Sequence, residues 1–381
     1  MSRKIVFINQ ATGYLTIDII NEFLTEFDKV ALITGSVRVQ NTELDPKIHV
    51  TKIIKYNRGG NVRKVISWIV GTLQIWFLLL CKYNDYERVY FTVPPTAYLL
   101  SLCHKTPFSI IIYDLYPEAL LIHNFSRSSY LFKWWVNQNR KIFAKAYKIF
   151  TLSEYMKSLI QDYCQDSEIC VIANWSAFSR LRRIDRTDNL LIKNEGLQGK
   201  FIVQYSGNIG LSHNVEVLLE VAESLKSEKD IMFIIIGRGE KSVTIGDLIN
   251  SKKLINCRLL PFRKDDELFD SLCAADLAVI TLDDSIPDIS VPSKVYNIMA
   301  TGTPVMAIAS INSGLADIII RHKMGRVFDK DNIVDITQFI KELKNDPKLW
   351  NYLSENSLNA SRQYTIANAT KYLNYYLGKA N

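Results

Sequence analysis

A series of short apolar runs separated by helical patterns constrains this chain more than any other feature. Six lie in the first half: KIVFIN (4–9), VALIT (30–34), RVYFTV (88–93), FSIIIY (108–113), KIFTLS (148–153) and EICVIA (168–173). Five lie in the second: FIVQYSG (201–207), IMFIIIG (231–237), CRLLPF (257–262), DLAVITL (276–282) and PVMAIA (304–309). Runs that are apolar at nearly every position suit strands buried on both faces, as in a parallel sheet covered by crossover helices. Segments such as TIDIINEFLTEF (16–27) supply the helices, and from about 333 the chain reads as helical.

The two series are divided by a polar stretch at 176–199 that carries Arg180, Arg182, Arg183 and Arg186. It reads as an interdomain connection. At 381 residues the chain is too long for one ordinary core and suits two α/β domains. The expected layout is two doubly wound domains, 1–175 and 200–359, with a cleft between them. A C-terminal helix at about 360–381 is expected to pack back on the first. Apolar residues make up 48% and charged residues 22%, which excludes a disordered chain. Cys81, Cys103, Cys164, Cys170, Cys257 and Cys273 form no CxxC pair and no zinc spacing with His. Free thiols in a reducing cytoplasm are therefore expected. The start MSRKIVFINQ lacks the apolar core and cleavage site of a signal peptide.

The net charge of +7 is uneven, +6 over 1–175 and +1 over 176–381. No acid lies between Asp45 and Asp85, where Lys47, Lys52, Lys55, Arg58, Arg63, Lys64 and Lys82 accompany Trp68, Trp76 and Phe77. None lies between Glu118 and Glu154, where Arg127, Lys133, Arg140, Lys141, Lys145 and Lys148 accompany Tyr130, Phe132, Trp134 and Trp135. Cations interleaved with tryptophan suit an anionic membrane surface. Nucleic acid is not an expected partner, since no nucleic-acid motif is present. The plain alternative is two solvated, partly buried helices. VISWIVGTLQIWFLLLC (65–81) is uncharged, but a span needs about 20 apolar residues, and Gly71, Thr72 and Gln74 dilute this one. It reads as a buried or membrane-grazing helix.

Ligands of doubly wound sheets sit beyond the carboxyl ends of the strands. In the second half those ends carry Gly207-Asn208-Ile209-Gly210, Gly237-Arg238-Gly239-Glu240 and Pro261-Phe262, loops that permit close backbone approach. SVPSKVYNIMATGTPVMA (290–307) follows. Pro292 suits the first turn of a helix, and Ser290 and Ser293 can each cap it. The free N–H groups at that end favour an anion, usually phosphate, and Lys294 adds a full charge. A diphosphate held this way needs no metal. Asp283, Asp284 and Asp288 read as solvated loop acids, so no metal site is expected. In the first half Asp114 and Glu118 follow FSIIIY and should project into the cleft. A carboxylate there can bind an acceptor hydroxyl or accept its proton; the plain alternative is an acid at a helix N-terminus. Gly13 would let the loop after the first strand meet a ligand. His123 could serve the cleft, although a lone His is more often structural.

VPSKVYNIMATGTPVMA, YSGNIG (205–210), GRGE (237–240) and LPFRKDDELFDSLCAADLAVITL (260–282) together resemble the donor domain of GT-B glycosyltransferases. Within that fold the chain is similar to the family-4 bacterial enzymes that assemble capsule, O-antigen and exopolysaccharide units. YDLYPEALLI (113–122) resembles an Asp-Leu-Trp-Pro-Glu segment of that subgroup, and IANW (172–175) its Pro-Asn-Trp segment. The resemblance covers most of the chain. It implies an acceptor-binding domain followed by a nucleotide-sugar-binding domain, and retention of anomeric configuration. The implied reaction is metal-independent transfer of a hexosyl or N-acetylhexosaminyl group from a UDP-linked sugar to a lipid-linked or growing glycan. The implied place is the cytoplasmic face of the inner membrane, and no cofactor is implied. Lys294 and the backbone at Pro292–Ser293 would stabilise the leaving phosphate. Gly207, Asn208, Gly210, Gly237, Arg238 and Gly239 would line the donor, Pro261 and Phe262 would lie against its base, and Asn297 would bond ribose or sugar hydroxyls. Gly13 and His123 would face the acceptor. Asn297 and Ile289 stand where many such enzymes carry two glutamates, and Asn208 and His213 lie near the usual place of an Arg and a Lys.

Two other classes share the fold. Nucleotide-sugar 2-epimerases are soluble, which the acid-free, Trp-rich stretches disfavour. A non-catalytic sugar-binding member is disfavoured by Lys294, Asp114 and Glu118. A dinucleotide oxidoreductase is disfavoured by the lack of G-x-G-x-x-G after the first strand.

Overall fold

A computed structural model gives the architecture. It describes residues 2–379 except 58, 104, 124, 166, 179–181, 211–212 and 283–290, and omits the side chains of 122 and 123. The chain divides into two compact units. The first comprises chiefly Met1–Ala177 with Ile366–Asn381, the second Phe178–Asp288 with Pro292–Thr365.

The first unit holds strands β1 (Lys4–Ile8), β2 (Lys29–Thr34), β3 (His49–Lys52), β4 (Glu87–Phe91), β5 (Phe108–Ile111), β6 (Ile149–Thr151) and β7 (Ile169–Val171). They form one sheet in the order β3-β2-β1-β4-β5-β6-β7, parallel throughout. Helices α1 (Tyr14–Phe23), α2 (Asn61–Cys81), α3 (Tyr130–Phe143) and α4 (Glu154–Gln161) connect them. Ile5, Val6, Phe7 and Ile8 are wholly buried, the result of cover on both faces. Ser129 and Ser153 cap α3 and α4, accepting from the backbone of Phe132 and Met156.

The second unit opens with α5 (Leu190–Asn194) and holds β8 (Phe201–Asn208), β9 (Ile231–Arg238), β10 (Cys257–Pro261), β11 (Leu277–Thr281), β12 (Val305–Ile308) and β13 (Gly325–Phe328). The sheet order is β10-β9-β8-β11-β12-β13, again all parallel. Its further helices are α6 (Glu216–Ser224), α7 (Ser242–Ser251), α8 (Asp265–Cys273), α9 (Lys294–Ala300), α10 (Gly314–Arg321), α11 (Ile333–Asn345) and α12 (Pro347–Ser361). Two strands, β3 and β13, were not evident from the apolar runs. Both lie at sheet edges with one partner each, so HVTK and GRVF keep polar, partly exposed residues.

The stretch 176–199 differs from a free connection. Arg186 donates to Asp276 at 2.5 Å and to the Lys200 carbonyl at 2.7 Å, and Arg183 donates to the Ala275 carbonyl at 2.6 Å while lying over the Trp350 ring. Asn189 is buried, caps α5 and donates to the Asp270 carbonyl. Arg183 and Arg186 thus fasten this stretch to the rest of the second unit; Arg180 lies outside the described residues.

The last helix, α13 (Ala367–Tyr376), belongs to the first unit. Tyr376 sits 5.3, 5.9 and 5.4 Å from the rings of Phe23, Phe27 and Tyr147, and its hydroxyl donates to Glu87 at 2.5 Å. Tyr372 packs on Phe150 and Trp175, whose indole donates to Asp18 of α1 at 2.8 Å. Tyr376→Ala should therefore cost the first unit about 3–5 kcal/mol, the usual range for a buried aromatic. Tyr376→Phe, losing one hydrogen bond, should cost only about 1 kcal/mol. Urea unfolding of both variants checks this; equal losses would place the stabilisation in the hydroxyl and not in the ring.

Candidate functional site

Parallel strands end together, so the second sheet brings the tips of β8, β9 and β10 to one edge. Gly207 pairs with Gly237, Asn208 with Arg238, and Gly237 with Pro261. The glycines there differ in purpose. A Cβ on residue 237 would stand 2.1 Å from the Gly207 carbonyl oxygen, and one on residue 239 would stand 2.4 Å from that of Ile209. Gly237 and Gly239 are therefore required by the protein's own backbone, not by a ligand. Gly207, with φ +153°, faces Lys294: its Cβ would lie 3.5 Å from the Lys294 Nζ. Gly210 leaves room for the Asn208 amide.

Lys294 opens α9. Its Nζ is buried, has no hydrogen-bond partner, and lies 4.2 Å from the centre of the Tyr205 ring. The Tyr205 hydroxyl donates to the Asn208 carbonyl at 2.6 Å, which fixes that ring. Burial pushes the Lys294 ammonium down to about 7. Nearby, burial and then the charges of Lys294 and Lys241 push His213 down to about 3, so its imidazole is neutral at ordinary pH. Lys241 itself pairs with Glu216 at 2.7 Å. Arg238 lies over the half-exposed Phe262 ring at 4.5 Å. Asn297 is half-buried one turn after Lys294.

The helix start differs from expectation. The helix begins at Lys294, two residues beyond Pro292, and the exposed Ser293 makes no capping bond through its side chain. With seven residues, α9 is short. The Lys294 side chain supplies a buried cation at this helix start. Ser290, Ile289, Asp283, Asp284 and Asp288 lie outside the described residues. Among the described residues, no group of three His, Cys, Asp or Glu could hold a metal ion. Lys294, Gly207, Asn208, Gly210, Gly237, Arg238, Gly239, Pro261, Phe262, Pro292, Ser293 and Asn297 all belong to the second unit. Tyr205 was overlooked by sequence reasoning: it looks like one more core residue of β8.

In the first unit Gly13 precedes α1 with open space where a side chain would go. Asp114 follows β5, half-buried, and its backbone N–H donates to the Thr92 hydroxyl at 3.3 Å. Burial raises its carboxyl above the ordinary value, and the Lys64 charge partly offsets this. Glu118 is differently placed. It accepts a hydrogen bond from the Tyr163 hydroxyl, and its other oxygen is buried without a partner. Beside Glu118, Trp135 donates to Tyr98 at 2.8 Å, Tyr98 to Asn139 at 3.1 Å, and Asn139 to the Tyr116 carbonyl at 2.6 Å. The side chain of His123 lies outside the described residues.

The family model for glycosyl transferases group 1 matches residues 188–360, within the second unit. Over 236 residues the chain is 23% identical to WbjE of Pseudomonas aeruginosa, a probable glycosyltransferase; the match covers 61% of this chain and 59% of WbjE. The chain thus spans about three fifths of that relative. WaaG, a glycosyltransferase involved in lipopolysaccharide biosynthesis, superposes with a TM-score of 0.71 at 13% identity, covering 98% of this chain and 100% of WaaG. Anabaena HepE, solved with UDP and glucose, gives 0.71 at 14% identity, covering 99% and 100%. The chain has the GT-B fold, with two Rossmann-like units.

The Lys294 site makes a stability prediction. Between about pH 7 and the ordinary 10.5 the unfolded chain binds this proton more readily than the folded one. Stability contributed at this site therefore rises with pH across that window and is lowest below it. Lys294→Met removes the buried charge and should stabilise the protein at pH 7 by on the order of 1–4 kcal/mol. The gain should shrink as pH approaches 10.5. Urea unfolding at several pH values checks this; a destabilised variant at pH 7 would mean the ammonium is already compensated.

Proposed function

We propose that this chain is a glycosyltransferase moving a hexosyl or N-acetylhexosaminyl group from a UDP-linked sugar to a lipid-linked or growing glycan. Its place would be surface-polysaccharide assembly at the cytoplasmic face of an inner membrane. The observation that carries the reading is the Lys294 ammonium, buried and unpartnered beside Gly207 at the carboxyl edge of a parallel sheet. A buried cation without a counter-charge is costly, and an arriving diphosphate would remove that cost. The group 1 match over the same unit, and HepE solved with UDP and glucose, support the donor assignment.

In the proposed reaction the bond between the anomeric carbon and the diphosphate oxygen breaks, and negative charge gathers on the leaving phosphate. A preorganised cation aimed at that charge acts most strongly in the transition state. Lys294 supplies it without a metal, and the Gly207 backbone approaches without a side chain in the way. Neutral His213 offers a ring nitrogen without adding charge. Phe262 and Arg238 offer a flat surface to the base, and Asn297 is one turn along for hydroxyls. In the first unit, Asp114 is the candidate for the acceptor hydroxyl, and retention of configuration is expected.

Two measurements test this. Because anion binding favours protonated Lys294, UDP affinity should be highest near pH 7 and weaken above it, by up to about tenfold per pH unit. A flat calorimetric profile from pH 7 to 8.5 would separate Lys294 from the phosphates. Asp114→Asn should lower transfer by about 100-fold or more while UDP affinity stays within about twofold. Glu118→Gln, at a residue tied to Tyr163, should keep transfer within about threefold. The reverse order in transfer assays would exchange the roles of the two acids.

A further inference from the structure

We propose that Arg88 of β4, together with the Tyr90 hydroxyl, binds a small inorganic monoanion of the chloride class inside the first unit. The inference stands apart from the sugar-transfer reading. Arg88 is 1% exposed, and among the described residues its Nε and Nη1 have no hydrogen-bond partner and it makes no ion pair. The carboxylates nearest to it in sequence are engaged elsewhere. Asp85 pairs with Lys4, while Glu87 accepts from Tyr376 and lies 3.8 Å from Arg3. A guanidinium does not give up its proton in a protein, so it cannot escape burial by becoming neutral. A buried charge with no counter-charge is strongly destabilising, and a bound anion removes that cost.

The strand puts a second donor beside the guanidinium. Side chains alternate along a strand, so Arg88 and Tyr90 share one face of β4, while Glu87 points to the other and meets α13. Arg88 pairs with Phe108 of β5, and the Tyr90 ring lies edge-on to the Phe108 ring with centroids 6.3 Å apart. The Tyr90 hydroxyl is buried and near Arg88, yet it forms no hydrogen bond of ordinary geometry. Burial pushes this phenol up to about 12 against the pull of the arginine. It therefore stays neutral, free to donate and unable to supply the counter-charge itself.

These groups define the ligand. Arg88 only donates, so its partner must accept hydrogen bonds and carry negative charge. One guanidinium balances one negative charge, and a phosphate would bring more than it neutralises. At 1% exposure the side chain faces no opening for an organic carboxylate. Water would meet the N–H groups but leave the charge uncompensated. Solvent is nevertheless close: Cys103, which ends the helical turn Ala97–Cys103, is exposed and near enough for its charge to act on the Tyr90 hydroxyl. Arg88 lies in the amino-terminal half of β4, whereas Asp114 follows the carboxyl end of the parallel strand β5. The anion is therefore structural and takes no part in transfer.

Thermal melting of the full chain at constant ionic strength, with chloride replacing gluconate, tests the assignment. The midpoint should rise with the logarithm of chloride concentration, by about 3–5 °C per tenfold once chloride exceeds its Kd. Lys294 is a second buried cation without a partner, so the titration is repeated in Lys294→Met, where the rise should persist. The rise should vanish in Arg88→Met. Tyr90→Phe keeps the ring and removes one donor, and should weaken chloride affinity about fivefold. In bromide-soaked crystals an anomalous peak should lie within hydrogen-bond reach of the Arg88 Nε and Nη1. A midpoint indifferent to chloride, or a rise lost in Lys294→Met, would overturn the proposal. So would a rise undiminished in Arg88→Met or, should that variant not fold, a chloride affinity unchanged in Tyr90→Phe. Water alone beside Arg88 in the bromide crystals would overturn it too.

Discussion

In the second unit, the carbonyl of Gly207 occupies space that any side chain on residue 237 would need. This backbone contact sets how closely β8 and β9 end together, and the site follows from it. With the strand tips this close, Gly207 near the end of β8 presents no side chain toward Lys294. Tyr205, two residues earlier on the same strand, presents its ring to the same ammonium. The cation lies over an aromatic face, and among the described residues no carboxylate pairs with it. The protein keeps a buried charge that weakens the unit, a cost that the proposed diphosphate would remove.

The first unit is organised around rings. Tyr116 gathers Trp68 and Trp135, and so fixes α2 and α3 from within. Tyr376 and Tyr372 close α13 over α1, β6 and the Trp175 segment. Asp114 lies two residues from Tyr116 in sequence, next to the cluster of Trp68, Tyr116 and Trp135. Two acids four residues apart thus have different surroundings: Glu118 accepts from Tyr163, while burial raises the Asp114 carboxyl and the Lys64 charge partly offsets it.

The parallel sheets were readable because strands covered on both faces must be apolar at almost every position. Edge strands β3 and β13 escaped the same reading because half their surface meets water. The polar stretch at 176–199 looked like a connection; two of its arginines, Arg183 and Arg186, reach Asp276 and backbone carbonyls of the second unit. Trp134 and Trp135 are neighbours in sequence, yet a helix turns successive residues about 100° apart. One faces solvent and the other Tyr98.

By itself, then, the sequence determined the two α/β halves, the glycine-bearing strand ends, the placement of a single lysine after Pro-Ser, and the acid-free basic stretches. Each is a matter of residue type at local spacing, which periodicity and turn chemistry express directly. Only the tertiary structure decided that Gly237 serves its neighbour's backbone while Gly207 faces Lys294, and that the Lys294 ammonium is buried without a partner among the described residues. It alone decided which tryptophans are core and which acid is tied up. Burial and partnership depend on residues far apart in the chain, such as Tyr205 with Lys294 or Glu118 with Tyr163, and no local pattern encodes that distance.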